Sequence, residues 1–184
     1  CLFGNDFDDI IRNKRTMQKI YDADYSFAKP PMAPVVTAVS QNKRVVLKWD
    51  SNAEKSIDPI YGKDFEGYLI YRATDPSFNT VKTITDTYGN PIFWEPIAQF
   101  DLKNGLSGPH PIPIGETGAH FNMGNDTGLQ YYFIDENVEN GRTYYYAVCS
   151  YDKGYDTDFF SRGLTKKDQL SIIAPSECEK NIHT

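Results

Sequence analysis

Cysteine, histidine and tryptophan are scarce in this chain, at three, three and two of 184 residues. No two cysteines form a Cys-x-x-Cys pair, which excludes the common zinc and thioredoxin-like arrangements. His110 and His120 lie ten positions apart among Gly and Pro. That spacing imposes no metal site, and both are expected to be solvent-exposed loop residues. Long apolar runs are missing too. Nothing approaches the roughly 20 residues that a membrane helix needs. Positive charge is in deficit, with 19 Lys and Arg against 25 Asp and Glu and a net charge of −6. An acidic balance argues against a nucleic-acid partner, since basic patches supply most affinity for a phosphate backbone. The patterns Gly-x-Ser-x-Gly, His-Glu-x-x-His and Gly-x-x-x-x-Gly-Lys-Ser/Thr are all absent. No residue is therefore assigned a catalytic or cofactor-binding role, and the chain is expected not to be an enzyme. It begins at Cys1 without Met, as expected of a processed, trimmed or excised segment; a leader missing from such a segment says nothing about export.

Tyrosine and phenylalanine, in contrast, are abundant, at 13 and 11 residues. So many Tyr fit strands whose side chains are half buried with a wet hydroxyl end. The stretch that organises the chain is Val138-Glu139-Asn140-Gly141-Arg142-Thr143-Tyr144-Tyr145-Tyr146-Ala147-Val148. Asn140-Gly141 suits a tight turn. After it, Tyr144, Tyr146 and Val148 share one face of a strand, because side chains alternate with period two. Tyr145, Ala147 and Cys149 take the other face, which is expected to point outward.

Residues 1–27 read as a helical extension. Asn5 or Asp6 can cap a helix running to about Tyr21, with Phe7, Ile10, Lys14, Met17 and Tyr21 on one face. Its expected place is the side of the domain, with docking on a preceding domain as the sharper alternative. Residues 28–34 hold three Pro and read as a semi-rigid linker. Beyond it, residues 35–39, 43–49, 67–72, 129–135 and 169–173 read as strands. Residues 92–100 alternate as a strand, but Pro96 demotes it to an edge. Residues 102–128, rich in Gly and Pro, read as a long surface insertion where function could sit. Residues 177–184 read as a tail.

Val138, Gly141 and Tyr144 together resemble the corner between the fifth and sixth strands of a fibronectin type III domain. The resemblance implies that the Tyr144 hydroxyl bonds the main chain a few residues upstream. Lys43–Trp49 resembles that family's second strand, with Trp49 as its core tryptophan. Gly67–Arg72 resembles its third, with Tyr68 and Ile70 inward. Pro34 opening Val35–Val39 resembles its first. The match spans Pro34 to Ser176, longer than the roughly 100 residues of such a domain, and the surplus lies mainly in the insertion. More loosely, the chain, including Arg12-Asn13-Lys14 and Asp64–Tyr68, resembles a segment of large bacterial secreted or surface proteins. The implied fold is an all-β, immunoglobulin-like sandwich over residues 35–176 with an N-terminal helix. Its structural core would contain Trp49, Tyr68, Ile70, Tyr144, Tyr146 and Val148. Because the last two strands of this family are neighbours, a Cys149–Cys178 disulfide is one expectation; two separate thiols are the other.

Chemistry-bearing clusters are few. Asp152, Asp156 and Asp158 are acidic but lack the spacing of a calcium loop. A calcium site from them would need Asp135 or Asp75. Glu54 with Asp58, and Asp64 with Glu66, are carboxylate pairs of the kind any acidic chain contains. Phe93 and Trp94 could form a platform for stacking on sugar rings, and Tyr145 is a second candidate for an exposed aromatic. The expected function is a non-catalytic structural or adhesive module of a secreted or cell-surface bacterial protein. Its partners would be other proteins, flanking domains or a second copy. The alternative is a carbohydrate-binding accessory module of a secreted hydrolase, with polysaccharide as the partner.

Overall fold

The computed structural model describes residues 7–22, 29–59, 61–113, 118–154 and 175–182. Its elements, in chain order, are α1 (Phe7–Asp22), β1 (Val36–Gln41), β2 (Arg44–Trp49), β3 (Phe65–Ala73), β4 (Ile84–Thr85), β5 (Pro91–Phe93), β6 (Ala98–Asp101), β7 (Ser107–Pro113), β8 (His120–Asn125), β9 (Tyr132–Asp135) and β10 (Tyr145–Asp152). Every strand pairing is antiparallel. The fold is all-β with little helix. One sheet has the order β1-β2-β9 and a second β10-β3-β6, while β4-β5 and β7-β8 form two-stranded ribbons.

The two larger sheets pack face to face. Leu47 and Trp49 from the first meet Tyr68, Ile70, Tyr146 and Val148 from the second in one buried cluster. Trp49 sits edge-on to Tyr68 and is stacked with Phe100. Tyr144 lies at the margin of this cluster, half buried. The sheets are also pinned by charge. Arg72 Nη1 donates to the carboxylate of Asp135 at 2.8 and 2.9 Å and to the Asn137 carbonyl at 2.6 Å. The Tyr146 hydroxyl and the Asn137 N–H donate to the same carboxylate. Asp135 is buried, but its oxygens are fully engaged, which is the condition under which burying a charge is tolerable. At the same end, the Glu139 N–H donates to the Tyr144 hydroxyl oxygen at 3.1 Å.

The sheet containing β3 has a second buried face, contrary to the expectation of an outward one. Leu69, Tyr71, Ala147, Cys149 and Tyr151 pack there against Phe78, Phe121, Met123 and Cys178. The cover is the expected surface insertion, which is organised into the β7-β8 ribbon. Asp101, fully buried at the end of β6, anchors it by accepting hydrogen bonds from the Asp126 and Thr127 N–H groups and the Thr127 hydroxyl. Gly124 must be glycine here, because its φ is +116° and a Cβ would lie 2.5 Å from the Asp101 carboxylate. Gly67 is as constrained by close approach, with the Phe100 carbonyl 2.4 Å from where a Cβ would be.

Several other expectations are corrected. The strand expected over 92–100 is broken into β5 and β6, because Pro96 has no N–H for a ladder. Residues 177–182 are no free tail. The Cys178 N–H bonds the Ser150 carbonyl, the Asp152 N–H bonds the Ser176 carbonyl, and the Asn181 side chain accepts from the Val148 N–H. These contacts cover the outer edge of β10. The Pro-rich stretch is likewise strapped down, with the Ser150 hydroxyl donating to the Met32 carbonyl and Asn181 Nδ2 to the Pro34 carbonyl. The helix does form, and Phe7, Ile10, Met17 and Tyr21 stand exposed on it. The strand expected over 169–173 lies outside the described residues.

Tyr144→Phe removes the acceptor for the Glu139 N–H and leaves the ring in place. The expected loss is about 1 kcal/mol of unfolding free energy, with an unchanged slope in urea denaturation.

Candidate functional site

Two surface features bring chemically distinct side chains together. The first is a groove of about 750 Å³ between β9 and the segments carrying Val81 and Pro96. Its β9 side presents Phe133 to Asn137 in succession, and its far wall includes Thr80, Thr83, Glu95 and Ile97. The Thr83 hydroxyl donates to Glu95 at 2.8 Å, fixing that carboxylate on the far wall. Arg72 lies in the groove but is already neutralised by Asp135. Glu95 and Glu136, both exposed, are left to set the sign of the charge. A second depression of about 340 Å³ continues past Arg72 to Arg142 and Tyr144.

The other feature is a small recess of about 110 Å³ walled by Tyr71, Phe93, Trp94, Phe121, Gln99 and Glu177. The Tyr71 hydroxyl donates to both Glu177 oxygens, at 2.9 and 3.0 Å. Burial pushes the Glu177 carboxyl up, against the pull of Lys180 and of the Tyr71 bond. Trp94 is not an exposed platform. Lys180 Nζ stands 3.4 Å from its ring centroid and Lys82 Nζ 5.0 Å. Phe93 is half buried and meets Phe121 edge to face. The expectation of a sugar-stacking surface at Phe93 and Trp94 is corrected: a protein cation already holds the indole. Tyr145 is half buried against the outer cluster, not exposed.

Cys149 and Cys178 are buried free thiols, so the expected disulfide is not formed. They are hydrogen-bonded to each other, which pushes Cys149 well up and holds Cys178 down at about 7. His110 is fully buried, against the expectation of an exposed loop residue. His120 Nδ1 lies 2.6 Å from the His110 carbonyl oxygen, so main chain links the pair.

The acids expected to combine at a calcium site are dispersed. Asp75 accepts bonds from Ser77, Asn79 and Thr80 within its own loop. Asp135 holds Arg72, Asp152 holds Ser176, and Asp156 and Asp158 lie outside the described residues. Among the described residues, no three ligating side chains are grouped to hold a metal. Three of the four carboxylates noted as sequence pairs have structural partners of their own. Glu54 accepts from the Tyr68 hydroxyl, Asp58 from the Lys29 N–H, and Glu66 from Asn104.

Asp58, Asp64 and Asp152 do come together, where the N-terminal strap, the start of β3 and the C-terminal segment meet. Burial, then Asp152, then Asp58 raise Asp64 to about 7. Burial raises Glu66 to about 7 despite its bonds from Asn104, and Asp152 to about 6 despite those from Ser176.

Sequence reading missed the β9 groove, because Arg72, Glu95 and Ile134 are far apart in the chain. One signal was available. Tyr132 and Ile134 alternate with Phe133 and Asp135, so an outward apolar pair was already legible in that strand.

These raised carboxyls predict acid stabilisation. The folded protein holds the protons of Asp64, Glu66 and Asp152 more tightly than the unfolded chain, whose carboxyls titrate near pH 4. Stability is therefore greatest toward the lower end of the window between about pH 4 and 7 and falls as pH rises through it. Urea titrations are expected to give about 1–3 kcal/mol more stability at pH 5 than at pH 8. Asp64→Asn is expected to raise stability at pH 8 and to flatten the pH profile.

Compared with family models, curated proteins and solved structures, the chain finds no match in any of the three.

Proposed function

We propose that this chain is a fibronectin type III-like sandwich serving as a non-catalytic interaction module of a secreted or cell-surface bacterial protein. The observation that carries the reading is the corner at Tyr144, whose hydroxyl accepts the Glu139 N–H five residues upstream. In immunoglobulin-like sandwiches that bond sits where the chain crosses from one sheet to the other. Here it falls between β9, in one sheet, and β10, in the other. The strand partition supports the same reading. Sheets β1-β2-β9 and β10-β3-β6 match first, second and fifth strands set against third and sixth.

The non-catalytic part of the proposal rests on how the ionisable groups are used. Asp101, Asp135 and Asp152 each hold main-chain N–H groups or a pinning side chain. Glu66 holds Asn104, and Glu177 holds Tyr71. Such contacts position segments of chain, and fold alone would not decide the matter. Among the described residues, an open strand edge and a charged groove are left at the surface for function.

An antibody raised against the folded chain, applied to intact cells of the source organism, tests this. Labelling without lysis, abolished by brief external protease, is the expected result. Labelling that requires lysis would overturn the surface reading.

A further inference from the structure

We infer that the groove beside β9 is a strand-addition site that takes an extended peptide bearing a basic side chain. The inference rests on the interaction-module reading and names its partner. β9 pairs with β2 on one side and, among the described residues, ends its sheet on the other. The ladder fixes which peptide groups face which way. The Asp50 N–H bonds the Val35 carbonyl, and the Trp49 N–H bonds the Tyr131 carbonyl. Successive residues of β2 therefore serve opposite neighbours. Phe133 and Asp135, opposite Leu47 and Val45, direct their peptide groups to β2. Tyr132 and Ile134 direct theirs to the open edge.

Open edges accept added strands, and native sheets usually cover or charge them. β6, the edge strand of the other sheet, is covered: Gln99 bonds the Asn122 carbonyl of β8, and Asp101 bonds residues 126 and 127. β9 has no such cover among the described residues; it borders the groove of about 750 Å³. The far wall decides what can enter. Thr80, Val81, Glu95 and Pro96 face β9 across the groove. Main-chain bonds to Tyr132 and Ile134 would supply affinity, and alternate side chains would supply specificity. The charge selects the peptide. With Arg72 held by Asp135, the exposed Glu95 and Glu136 are complementary to Lys or Arg.

The test uses the full chain, labelled with nitrogen-15, and a synthetic capped octapeptide, Thr-Lys-Val-Thr-Val-Lys-Val-Thr. At saturation the amide protons of Tyr132 and Ile134 are expected to slow in exchange by about tenfold or more, as amides joining a ladder do. Ile134→Pro removes an outward N–H without breaking the bonds to β2, and is expected to weaken binding about tenfold. Ile134→Val, which keeps that N–H, is expected to bind as the parent does. The double substitution Glu95→Lys and Glu136→Lys keeps the test decisive should the Pro variant fold poorly. It is expected to lose the lysine peptide and gain a version with Glu in place of Lys. No binding at millimolar peptide, or binding that leaves the two amides unprotected, overturns the strand-addition site. Either result leaves the module reading to its own test of surface labelling.

Discussion

β3 is the constraint on which the rest of this structure depends. It is the middle strand of its sheet, and it is apolar on both faces: Tyr68 and Ile70 on one, Leu69 and Tyr71 on the other. A strand of that composition cannot leave either face to water. Burying two faces requires two further layers. The β1-β2-β9 sheet supplies one. The β7-β8 ribbon, Phe78 and the C-terminal segment supply the other. The register of β3 with β10 then places Tyr71 opposite Ala147 and Ile70 opposite Val148, so both strands serve both cores.

Polar contacts set where the layers stop. Arg72, one residue from the end of β3, reaches across to Asp135 and fixes β9 against the second sheet. Asp101 does the same for the covering ribbon at the other side. Lys180 over Trp94 and Tyr71 closes the outer layer with a cation between two rings. At the start of β3, Asp58 and Asp152 hold the two straps, with Asp64 beside them. Their crowding destabilises the charged forms there, which is why the fold is expected to favour mild acid. The groove at β9 exists because this scheme covers β6 and leaves β9 open.

Much of the inner core was legible in the sequence. Period-two alternation around Trp49, in Gly67–Arg72 and after Asn140-Gly141 marked β2, β3 and β10. Tyr144 marked the turn between sheets through the geometry of one hydroxyl. The outer core was not legible. Cys149 and Tyr145 fall on the face that a two-layer sandwich leaves to solvent. The residues that cover it, Phe121, Met123 and Cys178, sit among Gly and Pro or near the end of the chain. Glycine in 102–128 looks like loop composition, but at Gly124 it serves the close approach of Asp101. Trp94 misled for a related reason: beside Phe93 it reads as a platform for sugar rings until Lys180, 86 positions on, is seen above it. Long-range pairings of that kind leave no local period.

The central claim is that the β10-β3-β6 sheet is a middle layer and that the ribbon above it is core. The most direct test is the stability of Phe121→Ala, measured by urea denaturation. Phe121 is buried and touches Phe93 and Tyr151. As a core residue its truncation is expected to cost about 3 kcal/mol or more. A cost below about 0.5 kcal/mol, the scale of a surface substitution, would mean that the ribbon is a loose excursion and that the three-layer account is wrong.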